Sequence, residues 1–389
     1  MSTENAEPPD DAAAPRPAGT PPDDDPRLAG PDADGGATRF LCDNCGAALR
    51  WDPEPDALAC EHCEHTRAVP RADGAIVERP LSAAGDAARG LGLELRVSVC
   101  DDCGARVSFD RADTSVTCVY CGSASVLETS ANRNALRPES LIPLDVGRAA
   151  VQAEFQRWLG RLWFRPSALK RARSQNVAGV YVPFWTFDAE VHSDWSADAG
   201  FYYYVPVTRT HTVNGKRVTT THMERRTRWE PAWGDRDDTY DDVLVPAGGG
   251  VPDELLTELG AFDMTALVPY RAEYLAGWRA EEYQLDLTDA WLRGRDQIVR
   301  EQERRCSGDV PGDTQRNLHV DNRFGEPRWK HVLLPVWSLN YRFKERVFQV
   351  LVHGQSGRVV GEAPLSWVKI AAAVLLGAGA VLGAIAAFR

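Results

Sequence analysis

Residues 1–39 almost completely lack large apolar side chains. The segment consists mainly of Pro, Asp, Ala and Gly, and it holds nine acidic residues against three arginines. A segment of this composition buries too little surface to offset the entropy lost on ordering. The sequence therefore predicts a disordered acidic tail over residues 1–39.

Several functional patterns are also missing. The chain does not start with a basic stretch followed by an apolar run, so no secretory signal is visible and the N-terminal part is expected in the cytoplasm. The phosphate loop Gly-x4-Gly-Lys-Ser/Thr, the zinc-hydrolase motif His-Glu-x2-His and the nucleophile motif Gly-x-Ser-x-Gly do not occur. We therefore expect a non-enzymatic protein, with no catalytic residue and no small-molecule substrate.

Negative charge is concentrated in the first third of the chain. The formal net charge is -12, and residues 40–129 hold fifteen acidic residues against eight arginines. Nucleic-acid binding depends on Lys and Arg that neutralise phosphates. DNA or RNA is therefore not expected as a ligand of this region.

Eight of the nine cysteines follow one repeated pattern of C-x2-C pairs, in which each cysteine of the second set lies 58 positions after its counterpart. The predicted metal ligands are Cys42, Cys45, Cys60, Cys63, Cys100, Cys103, Cys118 and Cys121. Paired C-x2-C turns at this spacing are typical of zinc ribbons, because zinc prefers four soft ligands in a tetrahedron. The sequence predicts two structural Zn²⁺ sites, in ribbons over residues 40–66 and 97–129.

Other interpretations of these residues stay open at this point. Disulfides are the first alternative, and a redox C-x-x-C pair is a weaker one. His62 and His65 lie beside the fourth pair and could replace a sulfur ligand, although a surface role is favoured. Cys306 has no partner in the pattern and is interpreted as a free structural thiol.

Nineteen consecutive residues near the C-terminus, 370–388, carry no charge. As a helix they would reach about the thickness of the hydrocarbon core of a membrane. The sequence therefore predicts a transmembrane anchor over 367–389. The basic residues that precede it predict a single-pass protein of the cell membrane, with the large N-terminal part in the cytoplasm. A buried soluble helix is the alternative.

A linker over 67–96 is expected to join the two ribbons, and the middle region, 140–365, is expected to form an α+β body. Apolar residues at helical spacing predict helices over roughly 145–163 and 288–305. Alternating strands flank Asn214-Gly215, a strong hairpin signal, and further strands are expected over 332–343 and 347–353. The acidic run 235–242 is interpreted as a solvated loop. The predicted fold class is thus α+β, with two tandem four-cysteine zinc ribbons, a β-rich mixed body with amphipathic helices, and one C-terminal transmembrane helix.

Four motifs of the middle region are Leu141-Ile142-Pro143-Leu144, Gly179-Val180-Tyr181-Val182-Pro183-Phe184-Trp185, Tyr274-Leu275-Ala276-Gly277 and Leu333-Leu334-Pro335-Val336-Trp337. They resemble motifs of a bacterial family of TFIIB-type zinc-ribbon membrane proteins. Members are often labelled as primosomal helicases, which the missing nucleotide loop contradicts here. The second ribbon and the acidic tail depart from the family pattern.

The resemblance implies a membrane-anchored scaffold that recruits partner proteins, with links to the envelope-stress response. The partners that it implies are a phage-shock protein A-like protein and an SPFH-type protein. A nucleic-acid-associated zinc-ribbon protein is the alternative function.

Overall fold

The computed structural model describes residues 40–70, 76–87, 89, 96–109, 117–124, 126–130, 135–172, 174–213, 216–344 and 346–387. The predicted acidic tail, the Asn214-Gly215 turn and the last two residues lie outside the described residues.

Sixteen strands, four α-helices and four short 3-10 helices make up the regular structure of the described residues. The strands are β1 Leu49–Asp52, β2 Ala57–Cys60, β3 Thr66–Ala68, β4 Arg79–Pro80, β5 Arg96–Cys100, β6 Arg106–Phe109, β7 Val126–Ser130, β8 Ser140–Leu141, β9 Ser174–Val213, β10 Lys216–Pro246, β11 Val268–Pro269, β12 Arg279–Ala280, β13 Thr314–Phe324, β14 Arg328–Phe343, β15 Arg346–His353 and β16 Val359–Gly361. The helices are α1 Arg148–Arg161, α2 Asp253–Leu259, α3 Leu287–Asp309 and α4 Trp367–Ala387.

The body is built on one large sheet whose main path runs β10-β9-β14-β15-β16. β14 lies at its centre, and every residue of β14 from Trp329 to Tyr341 is buried. A strand covered on both faces is apolar almost throughout, which explains the run Val332-Leu333-Leu334-Pro335-Val336-Trp337. The two ribbons have small sheets of their own, ordered β1-β2-β3 and β6-β5-β7.

The two faces of the large sheet carry separate cores, and each core includes one ribbon. Leu333 and Trp337 of β14 pack in a core that includes Cys42, Cys60 and helix α1. Their neighbours Val332 and Val336 point the other way, into a core with Cys100, Cys118 and helix α2. Because side chains alternate along a strand, the ribbons lie against opposite faces of the sheet.

Three sequence predictions about the body are confirmed. The two expected helices are α1 and α3, and the strands expected at 332–343 and 347–353 pair antiparallel as β14 and β15. β9 and β10 form the expected hairpin, in which His211 lies opposite Val218 and His222 opposite Val207.

The acidic run 235–242 is not the solvated loop that the sequence suggested, since it lies within β10. One of its side chains is held by two ion pairs: Asp238 contacts Arg236 of the same strand at 2.5 Å and Arg305 of α3 at 2.6 Å. These arginines hold the pKa of Asp238 well below its usual range. A local arginine and a distant one thus help to hold a strand where local composition favours a loop.

The predicted fold class and localisation need one correction. Among the described residues, no helix is long and apolar enough to cross a membrane. The segment 370–388, predicted to be a transmembrane helix, contributes to α4, and much of it is Ala and Gly, whose small side chains add little transfer free energy. The predicted α+β fold with a membrane anchor is therefore replaced by a β-rich fold, and the prediction of a single-pass cell-membrane protein is wrong.

Candidate metal centres

Each ribbon brings four cysteine sulfurs together. In ribbon 1 (residues 40–66) the sulfurs of Cys42, Cys45, Cys60 and Cys63 all lie within 4.8 Å of one another. The sulfurs of Cys42 and Cys63 are 3.5 Å apart, as are those of Cys45 and Cys60. The two C-x2-C turns therefore face each other across a small volume.

Ribbon 2 (residues 97–129) repeats this arrangement. The sulfurs of Cys100, Cys103, Cys118 and Cys121 also lie within 4.8 Å of one another. The pairs Cys100–Cys121 and Cys103–Cys118 are again 3.5 Å apart. All eight cysteines selected from the sequence are thus divided into the two predicted groups of four.

The disulfide alternative does not hold, because all nine cysteines are free. A disulfide requires a sulfur–sulfur distance of about 2.05 Å. In a tetrahedral zinc site the bonds of about 2.3 Å place neighbouring sulfurs roughly 3.8 Å apart. The measured 3.5 Å between sulfurs is close to the second value. The residues present therefore fit a four-thiolate zinc site.

The backbone turns explain why glycine follows three of the four C-x2-C pairs. The N–H of Gly46 donates to the carbonyl of Cys42 at 2.8 Å, and Gly46 has a φ of +73°. Glu64 occupies the equivalent position in the turn without glycine, and it adopts a φ of 59°. Because a Cβ is disfavoured in this left-handed region, Glu64 stores strain that glycine would avoid.

Hydrogen bonds within each cluster favour a thiolate. The backbone N–H of His65, together with the Asn44 side chain, lowers the pKa of Cys63 to about 6. In ribbon 2 a hydrogen bond with Cys103 lowers the pKa of Cys118 to about 5. One thiolate is thereby favoured in each cluster, while contacts with the other sulfurs and burial raise the pKa of Cys45, Cys103 and Cys121. A bound divalent cation would favour loss of the remaining thiol protons.

Both ribbons rest on residues 274–284, which we call the ribbon-docking segment. For ribbon 1, the N–H of Trp51 donates to the carbonyl of Ala276 and the indole N–H of Trp278 donates to the carbonyl of Trp51, both at 2.9 Å. The rings of Trp51 and Tyr274 are in edge contact, with centroids 4.6 Å apart. These contacts fix β1 of ribbon 1 against the body.

Ribbon 2 docks on the next residues of the same segment. The hydroxyl of Ser108 donates to the carbonyl of Ala280 at 2.8 Å, and Arg106 pairs with Glu282 at 3.0 Å. Ser108 lies 58 positions after Arg50, whose guanidinium donates to the carbonyl of Gly277 at 3.0 Å. Both ribbons thus use equivalent strands of the repeat, β1 and β6, to reach one short segment.

Glu281 connects the second cluster to the body. One of its carboxylate oxygens accepts from the N–H groups of Gly249 and Gly250 at 2.8 and 2.7 Å. The other accepts from the hydroxyl of Tyr120, which lies between Cys118 and Cys121 in sequence, at 2.8 Å. Glu281 is 3% exposed, and burial raises its pKa. The metal-ligand loop is therefore held by a buried and fully hydrogen-bonded carboxylate.

The chain is similar in sequence to a bacterial protein. Over 340 residues the chain is 26% identical to "Uncharacterized protein YdjG" of Bacillus subtilis (strain 168), a match that covers 86% of this chain and 92% of that protein. No family model matches the chain. No solved structure matches it.

The remaining candidate residues do not belong to either group of four sulfurs. His62 and His65 are exposed and belong to neither group of four, as the surface interpretation predicted. Cys306 is a free, fully buried thiol on α3, and burial raises its pKa. It packs within the protein, as expected for a structural cysteine.

A third group of potential ligand atoms belongs to Glu78, Asp188 and Asp241. The ammonium of Lys330 lies in the same place, 2.8 Å from Glu78 and 2.7 Å from Asp242. This buried lysine supplies the positive charge that the carboxylates require. It also joins β14 to residue 78, within the segment predicted as a linker.

Sequence reasoning missed the ribbon-docking segment and Glu281. The motif Tyr274-Leu275-Ala276-Gly277 was visible, but nothing in its composition shows that a ribbon more than 200 residues away packs on it. The triplet Gly248-Gly249-Gly250 is the clearest overlooked signal: a Cβ at Gly250 would lie 2.3 Å from the Tyr120 ring, so only glycine permits this approach.

Proposed function

We propose that this chain is a non-enzymatic scaffold, stabilised by two structural zinc ions, that recruits partner proteins. The proposal rests on one observation: the two ribbons that hold the four-sulfur clusters both pack onto one short segment of a large β-rich body. The metal centres thereby fix the position of two small folded units, and those units present their outer surfaces to other proteins.

Zinc is proposed because the donor set and its geometry fit this ion. Four soft thiolates at tetrahedral edge distances favour zinc over hard cations such as magnesium or calcium. With four protein ligands the coordination sphere is complete, so the ion offers no open position to a substrate. Its contribution is to folding, since ribbons this small have little core of their own.

Recruitment is supported by the family resemblance and by the arrangement of the ribbons. Two ribbons on opposite faces of one sheet give the chain two separate surfaces around a rigid centre. The resemblance further suggests a role in the envelope-stress response. A phage-shock protein A-like protein and an SPFH-type protein are the first partners to test.

Metal analysis of the purified full-length chain tests the zinc sites. We expect two zinc ions per chain, and one after the double substitution Cys103→Ser with Cys121→Ser. The matched control is Cys306→Ser, which removes a buried cysteine outside both clusters and should leave two ions bound. A zinc content near zero in the freshly purified chain would refute the proposal.

Co-purification tests recruitment. The tagged chain is expressed with a phage-shock protein A-like protein and an SPFH-type protein from the same genome, and the recovered complexes are quantified. We expect at least one partner to be retained by the native chain and lost with the Cys103→Ser/Cys121→Ser variant. Equal recovery with both chains would show that the zinc ribbons do not organise the binding surface.

A further inference from the structure

The outer part of the β9–β10 hairpin extends beyond the rest of the sheet. β13 pairs with the other edge of β9, and this pairing extends only as far as Gly200, which lies opposite Thr314, the first residue of β13. Beyond that point residues 201–213 pair with 216–228, and no further described strand covers either edge. We call this two-stranded element the β-arm. At about 3.3 Å per residue it is roughly 40 Å long.

The β-arm leaves apolar and aromatic side chains in solvent. Tyr204 and Met223 are each 60% exposed and Tyr203 is 45% exposed. An isolated two-stranded hairpin is only marginally stable in water, because it buries little apolar surface. A binding partner would bury these side chains and stabilise the arm.

The β-arm is also basic within an acidic chain. It holds six basic residues (Arg209, Lys216, Arg217, Arg225, Arg226 and Arg228) and one acidic residue, Glu224, a net charge of +5 where the whole chain carries -12. Arg226 contacts Glu224 at 3.6 Å and Arg228 contacts Glu230 at 2.9 Å. Among the described side chains, Arg209, Arg217 and Arg225 have no carboxylate partner and are exposed.

The register places two of these arginines on a face without acidic residues. Arg217 lies opposite Thr212 and Arg225 opposite Tyr204, so both point to the same side of the ribbon. Arg225 lies over the ring of Tyr202, 4.2 Å from its centroid. Between the arginines, the hydroxyls of Thr208 and Thr221 are 3.1 Å apart and bind each other. This face therefore presents positive charge at both ends of a polar and aromatic surface.

Basic side chains on an exposed strand pair protect it from edge-to-edge aggregation. That explanation accounts for the charges but does not require the exposed Tyr204 and Met223 on the same face. Arg, Tyr and Met are all among the residue types that are enriched in protein–protein interfaces.

We propose that the β-arm binds an acidic, extended segment of a partner protein that also carries apolar side chains; this inference rests on the proposed recruiting function and adds a binding surface to those of the two ribbons. The positive charge of the β-arm favours an acidic partner, and the exposed side chains of Tyr204 and Met223 favour a partner that also has apolar groups. A second copy of the arm carries the same charge and is repelled. A nucleic acid also offers phosphates to the arginines, and a short duplex is therefore measured as the competing ligand.

Fluorescence anisotropy with the full-length, zinc-loaded chain tests the proposal at low salt. The probe is a labelled peptide of alternating glutamate and valine, as long as one strand of the β-arm. A glutamine–valine peptide and a short duplex DNA are measured beside it. We expect the glutamate peptide to bind most tightly, and the substitutions Arg209→Gln, Arg217→Gln and Arg225→Gln together to weaken its binding by about ten-fold.

The matched control changes net charge equally at exposed arginines outside the β-arm: Arg157→Gln, Arg293→Gln and Arg323→Gln, expected to alter binding less than two-fold. Three results overturn the proposal: equal weakening by both triple variants, equal affinity for the glutamate and glutamine peptides, or tighter arm-dependent binding of the duplex. Zinc content is measured on every variant. If the chain binds two zinc ions but does not distinguish the glutamate peptide from the glutamine peptide, the β-arm proposal is rejected and the proposed zinc-stabilised scaffold is not.

Discussion

Tyr120 donates its hydroxyl hydrogen to Glu281 at 2.8 Å and so ties the second cysteine cluster to the ribbon-docking segment. Replacing Tyr120 by Phe leaves one buried carboxylate oxygen without its donor. We expect a loss of about 1–3 kcal/mol in the free energy of unfolding and faster zinc release to a chelator. Chemical denaturation and a zinc-release assay measure the two effects. Tyr204→Phe, which alters an exposed hydroxyl, should change neither, and unchanged zinc release in Tyr120→Phe would contradict the assigned contact.

Gly250 allows the close approach between the body and ribbon 2. A Cβ at this position would lie 2.3 Å from the Tyr120 ring, whereas one at Gly160 of α1 would meet nothing within 4 Å. We therefore expect Gly250→Ala to destabilise the protein by about 1–3 kcal/mol, and Gly160→Ala to stabilise it by about 0.5–1 kcal/mol. Thermal unfolding of both variants provides the comparison. Equal midpoints in the two variants would mean that ribbon 2 does not pack on the glycine triplet.

Glu64 has a φ of 59° in the turn that lacks glycine. The substitution Glu64→Gly should relieve this strain and stabilise ribbon 1 by about 1 kcal/mol, since glycine adopts the left-handed region without steric cost. Glu64→Ala is the matched control: it removes the same charge but keeps the Cβ, so it should bring no gain. Resistance of the first cluster to a competing zinc chelator reports the difference, and a similar gain in both variants would assign the effect to charge.

His331 makes stability depend on pH. Its ring is buried 4.7 Å from the Trp185 ring and next to the carbonyl of Leu136, and burial lowers its pKa from 6.5 to about 4. The folded state therefore prefers neutral histidine, so stability is complete above the unfolded pKa and is lost as pH falls from 6.5 towards 4. Between about pH 7 and pH 5, protonation of this residue in the unfolded chain should lower the free energy of unfolding by about 2 kcal/mol.

Urea denaturation of the native chain and of His331→Asn at both pH values measures this contribution. The variant has no titratable ring and should lose about 2 kcal/mol less over the same interval. His222→Asn, which changes an exposed histidine of the β-arm, should follow the native chain. Parallel pH profiles for the native chain and His331→Asn would exclude the assignment.

Local patterns predicted the elements that depend on local forces. The C-x2-C spacing located both sulfur clusters. Of the apolar stripe that predicts α1, Val151, Phe155 and Leu159 are buried, and Trp158 and Leu162 are partly buried against the same core. Contacts between distant residues were not predictable. Nothing in the acidic run around Asp238 indicates that Arg305 will neutralise it, and nothing in ribbon 2 indicates that Tyr120 will meet Glu281. The C-terminal prediction failed because an uncharged run of small residues was given the weight of a strongly apolar one.

The ribbon-docking segment has a consequence for metal occupancy. Residues that support the first ribbon, up to Trp278, are followed after one position by residues that support the second, from Ala280 onwards. Because disorder in either half of so short a stretch would disturb its neighbour, we expect that emptying one centre weakens the other without abolishing it. The Cys103→Ser/Cys121→Ser variant should then keep one ion but release it to a chelator faster than the native chain does.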